Sequence, residues 1–233
     1  MQTTAPYGYD EIVPLKKEHR VRIAEDTTPA FARKLHALAI SAAEFAPAAR
    51  NYPIVFASVD RGKSFAPVIL LGLEQGQNLF VGAGGEWERG VYYPAFVRRY
   101  PFCISKLYVE GKAQNERVVC VARSQLDDGG TALFDASGAP NTRWQAIERL
   151  LAEYEADLDR TARLCATLAN LRVFEAFSDG ALGMYRVSEP KLADLKAASH
   201  KLLVGKGYMG AIYAHLHSLQ NLSELRRRAA GTG

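Results

Sequence analysis

From Trp144 to Leu168 the sequence places apolar residues at steps of three and four: Trp144, Ile147, Leu151, Tyr154, Leu158, Cys165 and Leu168, with Thr161 the one polar break. That period sets them on one stripe of a helix about 26 to 30 residues long. Such a stripe must bury against a sheet or other helices, so it fixes much of what the chain can fold into. Thr142 and Gln145 have capping-box spacing at its start.

The sequence before this helix reads mainly as strands and loops, and the sequence after it as helices. "HRVRIAED" alternates Val21 and Ile23 with charges, and "LHALAI" leans towards strand. Ser41 and Glu44 then have capping-box spacing, so a short helix should follow, kinked at Pro47, with Glu44 a cap rather than a catalytic acid. "YPIVFASV" and "APVILLGL" are buried strands by their β-branched content. "EQGQ" should turn the chain into a strand "NLFV" with Gly76 at the turn, and "GAGGEWERG" is a loop anchored by Trp87. "FCISKLYVEG" and "ERVVCVARS" form a second expected hairpin, turning at "KAQN". After the long helix, "GALGMYRVSE" reads as a brief strand. Ser188 and Pro190 start a helix "KLADLKAASHKLL", and "YMGAIYAHLHSLQNLSELRRR" forms a last one, with Ile212, Leu216, Leu219 and Leu222 inward. The expected fold class is α+β: one domain over residues 1–233, with an antiparallel, sheet-rich part (1–138) packed against a helical part (141–230).

Charge and cysteine usage exclude several classes. A formal charge of +4 is mild, and the only dense basic run, Arg226 to Arg228, suits a solvated helix end facing the helix dipole. No basic stripe interleaved with aromatics accompanies it, so no nucleic-acid partner is expected. Neither a secretory leader nor a membrane span is legible, which points to a cytoplasmic protein. Cys103, Cys120 and Cys165 are widely spaced and read as buried reduced thiols.

Among residues with chemistry, Ala57 to Ser64 fits a loosened phosphate-loop pattern that would bind nucleotide through Lys63 and Ser64. A phosphate loop needs a helix beginning at that pair, whereas Pro67 and the β-branched run after it favour a hairpin. His215 and His217, two apart on a helix, diverge and cannot chelate one ion, so no metal is expected. No Gly-x-Ser-x-Gly elbow is present. Asp127, Asp128 and Asp135 sit in turn compositions, although paired acids also bind cations.

The segment "YYPAFVRRYPF", Tyr92 to Phe102, carries the best binding candidates. Pro94 suits a first helical position and Pro101 pushes Tyr100 out of helical geometry. Between them Arg98 and Arg99 should point about 100° apart, so that only one shares a pocket with any ligand. One arginine is expected to pair with a core-edge carboxylate or stack on a tyrosine. A ligand site here would comprise Arg98, Arg99 and Tyr100, with Tyr93 and Trp87, taking a carboxylate or phosphate on an arginine fork.

The blocks "NYPIVFA" (51–57), "NLFV" (78–81), "YYPAFVRRYPF" (92–102), "LFDASG" (133–138), "MYRVSEPKL" (184–192) and "YAHLHSLQNL" (213–222) resemble the SapC family of bacterial proteins, in the right order over nearly the whole chain. The resemblance implies an association with surface-layer loci, and with TonB-dependent receptors, halogenase-like proteins and cupin-like proteins. It assigns no catalytic residue and no cofactor. The expected function is a cytosolic, non-catalytic accessory or binding protein of a surface-layer or TonB-linked uptake system, rather than an exported lattice subunit. The alternatives are an enzyme modifying a peptide, sugar or aromatic substrate, and a nucleotide-binding protein.

Overall fold

The computed structural model describes residues 4–23, 28–60, 62–109, 112–177 and 183–231, with backbone alone for 107–109 and 112–116. Its first strands are β1 (Ile12–Pro14), β2 (Arg20–Val21) and β3 (Ala37–Ala39). A short helix α1 (Phe45–Ala48) leads to β4 (Ile54–Ala57) and β5 (Ala66–Leu70). Helix α2 (Ala95–Arg98) precedes β6 (Phe102–Val109), β7 (Lys112–Ala122) and β8 (Thr131–Ala132). The long helix α3 (Thr142–Asn170) is followed by β9 (Phe174–Ala176) and β10 (Met184–Val187). Helices α4 (Glu189–Ala193), α5 (Ala197–Gly205), α6 (Tyr208–Ser218) and α7 (Asn221–Ala229) complete the chain. The strand pairs are all antiparallel, and the class is α+β.

The chain divides into two compact units, each built from two stretches of sequence: residues 1–32 with 96–155, and residues 33–95 with 156–233. The division does not follow the change from strand-rich to helix-rich sequence, because β9 and β10 come after α3 and still join the sheet formed by β3, β4 and β5.

In the first unit the sheet β1-β7-β6 has two buried faces, and the strand period of two sorts its residues between them. Phe102 and Val121 lie on one face with Val21, Leu133, Trp144 and Leu151, while Ile104, Val119 and Ile147 pack beside them. Cys103, Cys120 and Ala122 lie on the other with Tyr9 and Ile12, covered by Phe31, Phe96 and Tyr100. The first turns of α3 therefore bury their stripe as the periodicity requires. The helix cap differs from expectation: the Trp144 amide donates to Asn141 Oδ1 at 2.9 Å, so Asn141 caps and Thr142 is already helical. The hairpin turn also differs. Val109 pairs with Lys112, which puts "KAQN" inside β7 and the connection at residues 110–111, outside the described residues.

In the second unit the sheet order is β3-β5-β4-β10-β9. β4 and β10 pair only through Phe56–Tyr185 and Ala57–Met184. Past that point the His215 ring stands between the strands, its Nδ1 2.8 Å from the Ile54 carbonyl and its Nε2 accepting from the Val187 amide at 3.0 Å. A carbonyl only accepts and an amide only donates, so the ring is the neutral Nδ1–H tautomer. Ser218, one turn on, accepts from the Ile54 amide at 2.9 Å. Thr161, the polar break in the α3 stripe, is buried because it donates to the Asp157 carbonyl and accepts from the Ala42 amide at 2.7 Å.

Other expectations change in detail. "NLFV" forms no strand; Leu79 donates to the Leu71 carbonyl and Val81 makes a single bridge to Trp87. Of "HRVRIAED" only Arg20 and Val21 are strand, and residues 24–26 lie outside the described residues. The last helix is two, α6 and α7, because bonding tightens to i→i+3 at Leu219 and Gln220. Asn221 anchors the junction by donating to the Ala49 and Tyr52 carbonyls. The "KLADLKAASHKLL" helix likewise divides into α4 and α5 at residues 194–196, where Lys196 is extended.

Candidate functional site

The Tyr92–Phe102 segment crosses from one unit to the other after Ala95. In the second unit its first residues are held by Glu44, Asn51 and Tyr52. The capping box forms as the spacing requires, with Glu44 accepting from the Ser41 amide at 2.9 Å. The same buried carboxylate also accepts from the Tyr92 hydroxyl at 3.1 Å and the Ala95 amide at 2.8 Å, the latter at the start of α2. A buried carboxylate satisfied by three neutral donors ties Ser41, Tyr92 and the start of α2 together. Asn51 accepts from the Tyr92 amide, and the Tyr52 hydroxyl donates to the Tyr92 carbonyl.

Trp87 and Tyr93 belong to this unit. The Trp87 indole donates to the Tyr52 hydroxyl at 3.1 Å, and its ring meets Tyr93 edge-on at 5.3 Å. Trp87 is 9% exposed and Tyr93 is half-buried. Burial pushes the Tyr52 phenol above its ordinary range.

In the first unit the two arginines separate: Arg98 is exposed, while Arg99 is only 6% exposed. The Arg99 guanidinium carbon lies 4.8 Å from the Phe96 ring centre and 4.6 Å from that of Tyr154, with Tyr9 farther off at 6.0 Å. Its nearest carboxylate oxygen is Glu155 Oε1 at 3.9 Å, and Arg117 takes the other Glu155 oxygen at 2.6 Å. Both arrangements expected for one arginine, stacking and carboxylate pairing, thus fall on Arg99. Its Nε is buried with no hydrogen-bond partner. Tyr100 is half-buried and packs edge-on against Tyr9 at 5.1 Å and Phe31 at 5.5 Å. Desolvation raises the phenols of Tyr9 and Tyr100. The Tyr100–Pro101 peptide is cis.

Lys63 and Ser64 lie in the connection between β4 and β5, and a strand, not a helix, follows them. Their amides, which a phosphate loop would turn on a ligand, both donate to Asp60 Oδ1, at 3.0 and 2.8 Å. The Ser64 hydroxyl and these amides hold the Asp60 carboxyl down at about 2. The other turn acids are similar: Asp127 pairs with Arg22 and takes the Gly129 amide, and Asp135 takes Ser137 and Ala139.

His215 and His217 diverge as their spacing requires, one buried and one exposed. Burial holds His215 near 4. The three thiols are buried and free, and desolvation pushes Cys103 and Cys165 up to about 12 and Cys120 to about 11. Among the described residues no three His, Cys, Asp or Glu side chains converge to hold a metal ion. Among the same residues no helix is long and apolar enough to cross a membrane.

Arg228 departs from the solvated helix end expected of the basic run. It sits over the Phe80 ring at 4.6 Å, pairs with Glu88 and Glu224, and is only 23% exposed at its side chain. Sequence reading also missed Tyr9, Phe31 and Glu155 around Arg99, and Asn51 and Tyr52 around Tyr92. Tyr154 stood in the helical stripe, but nothing local to it names the cation it meets.

No curated protein and no solved structure matches this chain. The SapC family profile matches residues 16–225, a span that takes in the whole Tyr92–Phe102 segment, and the chain belongs to the SapC family.

Proposed function

We propose that this SapC-family chain is a cytoplasmic, non-catalytic accessory protein that binds a partner of a surface-layer or TonB-linked uptake system. The observation that carries this reading is the division of labour between the two arginines. Arg99 is committed to the fold by Phe96, Tyr154 and Glu155. Arg98, the last residue of α2 and adjacent to it in sequence, is left exposed. An exposed guanidinium on a well-packed segment suits a carboxylate or phosphate group of a partner.

Several other groups capable of chemistry among the described residues are engaged in folding. Glu44 caps two elements, His215 bridges two strands, and the thiols are desolvated. The family resemblance supplies the association with uptake or surface systems.

A pull-down from the native host tests the reading with Arg98→Glu, since substitution at buried Arg99 would disturb the fold. The expected result is a specific partner held by the wild type and lost by Arg98→Glu at unchanged thermal midpoint. An identical partner set for both proteins would remove the corner as the binding surface.

A further inference from the structure

β6 and β7 each carry one cysteine, and the register sets the two against each other: Cys103 is the direct cross-strand partner of Cys120. Directly opposite residues of an antiparallel pair project from the same face of the sheet. Both thiols accordingly fall in one cluster with Tyr9, Ile12 and Ala122, and both are fully buried and free. The pairing runs without interruption from Phe102–Val121 to Lys106–Arg117, so no bulge displaces either side chain.

Strand hydrogen bonding fixes the spacing. The Ala122 amide donates to the Pro101 carbonyl at 3.0 Å, which makes Pro101 and Ala122 a hydrogen-bonded pair. Such pairs recur at every second residue, so Cys103 and Cys120 are the next one, with Cα atoms about 5.5 Å apart. A disulfide spans Cα separations of roughly 4.4–6.8 Å, and the strands already hold the two cysteines inside that window. The Cβ atoms of a hydrogen-bonded pair stand towards the upper end of about 4.5–5.5 Å, against a mean of about 3.8 Å across a disulfide. Closing the bond therefore strains the two strands locally, and strain makes a disulfide easier to reduce.

We propose that Cys103 and Cys120 form a reversible disulfide that staples β6 to β7, a redox-sensitive modification site in the first unit. The oxidant is a small disulfide of the glutathione class, which exchanges twice. One cysteine, deprotonated, attacks a sulfur of oxidised glutathione, forming a mixed disulfide and releasing one glutathione thiolate. The second cysteine, deprotonated in turn, attacks the protein-side sulfur, which forms the Cys103–Cys120 bond and releases the second glutathione. Two protein thiols are oxidised, one glutathione disulfide is reduced to two thiols, and the two protons pass to the departing thiolates.

The surroundings set the character of the site. In the order β1-β7-β6 the strand β6 lies at an edge, held by a neighbouring strand on one side only, so local opening there admits the oxidant. The exchange is slow, because Phe31, Phe96 and Tyr100 cover the thiols and burial disfavours the thiolate. In a reducing compartment such a bond is transient, which suits a sensing role rather than a structural one. The pairing stands on the register and does not depend on a partner at Arg98.

Long equilibration of the full chain in mixtures of oxidised and reduced glutathione tests this. Intact mass should fall by two hydrogens, and peptide mapping should join Cys103 to Cys120 with Cys165 still a thiol. The near-ultraviolet circular dichroism of the product should stay native, and reduced glutathione should restore both thiols. Cys103→Ser and Cys120→Ser should each abolish the two-hydrogen change, whereas Cys165→Ser should oxidise as the wild type does. A folded wild type that keeps both thiols throughout, while the urea-unfolded chain oxidises, would overturn the proposal. So would a bond that involves Cys165 or a second chain, or a Cys103–Cys120 product that has lost its native spectrum, since the pairing would then belong to the unfolded state.

Discussion

Arg98 and Arg99 are adjacent, carry the same charge and do different work. The helical period turns them apart, and the neighbours Phe96 and Tyr154 decide which is drawn inward. His215 is the second residue with an unusual assignment, a buried histidine used as a neutral backbone bridge. Burial lowers it from 6.5 to about 4. As pH falls below 6.5 the unfolded chain takes up a proton at this site while the folded chain does not, so stability falls until about pH 4 and then levels off. The loss from this group is on the order of 3 kcal/mol. Urea unfolding measured across that range should show the slope in the wild type and a shallower one in His215→Gln; parallel slopes would mean the ring is not held neutral.

At the scale of elements, the cap of α3 gives a clean test, because two adjacent residues make different claims to it. Asn141→Ala should lower stability by about 1 kcal/mol and Thr142→Ala by a few tenths. Denaturation of the two variants compares them directly, and a larger effect at Thr142 would contradict the cap seen at Asn141. Short-range features were legible here: the α3 stripe, the β4 and β5 strands and the Ser41–Glu44 box all depend on residues close in sequence. Features fixed by distant partners were not. The pairing of Val109 with Lys112, which places "KAQN" inside β7, follows from β-register that composition cannot reveal. The break between α6 and α7 has no proline or glycine to announce it; Ser218 and Asn221 are held there by backbone some 160 residues and more away. For the candidate site, the divergence of the arginines was readable from the helical period. Which of them is buried depends on Tyr154 and Glu155, more than fifty positions downstream.

At the scale of the whole molecule, the chain forms two compact units, both built from discontinuous sequence. The first holds Cys103 and Cys120, and the second holds Cys165, all with desolvated thiols. A disulfide exchange reagent should therefore find all three cysteines slow in the native protein and fast in urea, since the reactive thiolate is disfavoured by burial. Rapid native labelling of any one would show that its core is open. The central claim, that Arg99 serves the fold and Arg98 serves the surface, is tested most directly by equilibrium urea unfolding of the two alanine variants against the wild type. Arg99→Ala is expected to lose about 2–4 kcal/mol and Arg98→Ala to stay within about 0.5 kcal/mol; equal losses, or a larger loss at Arg98, would contradict it.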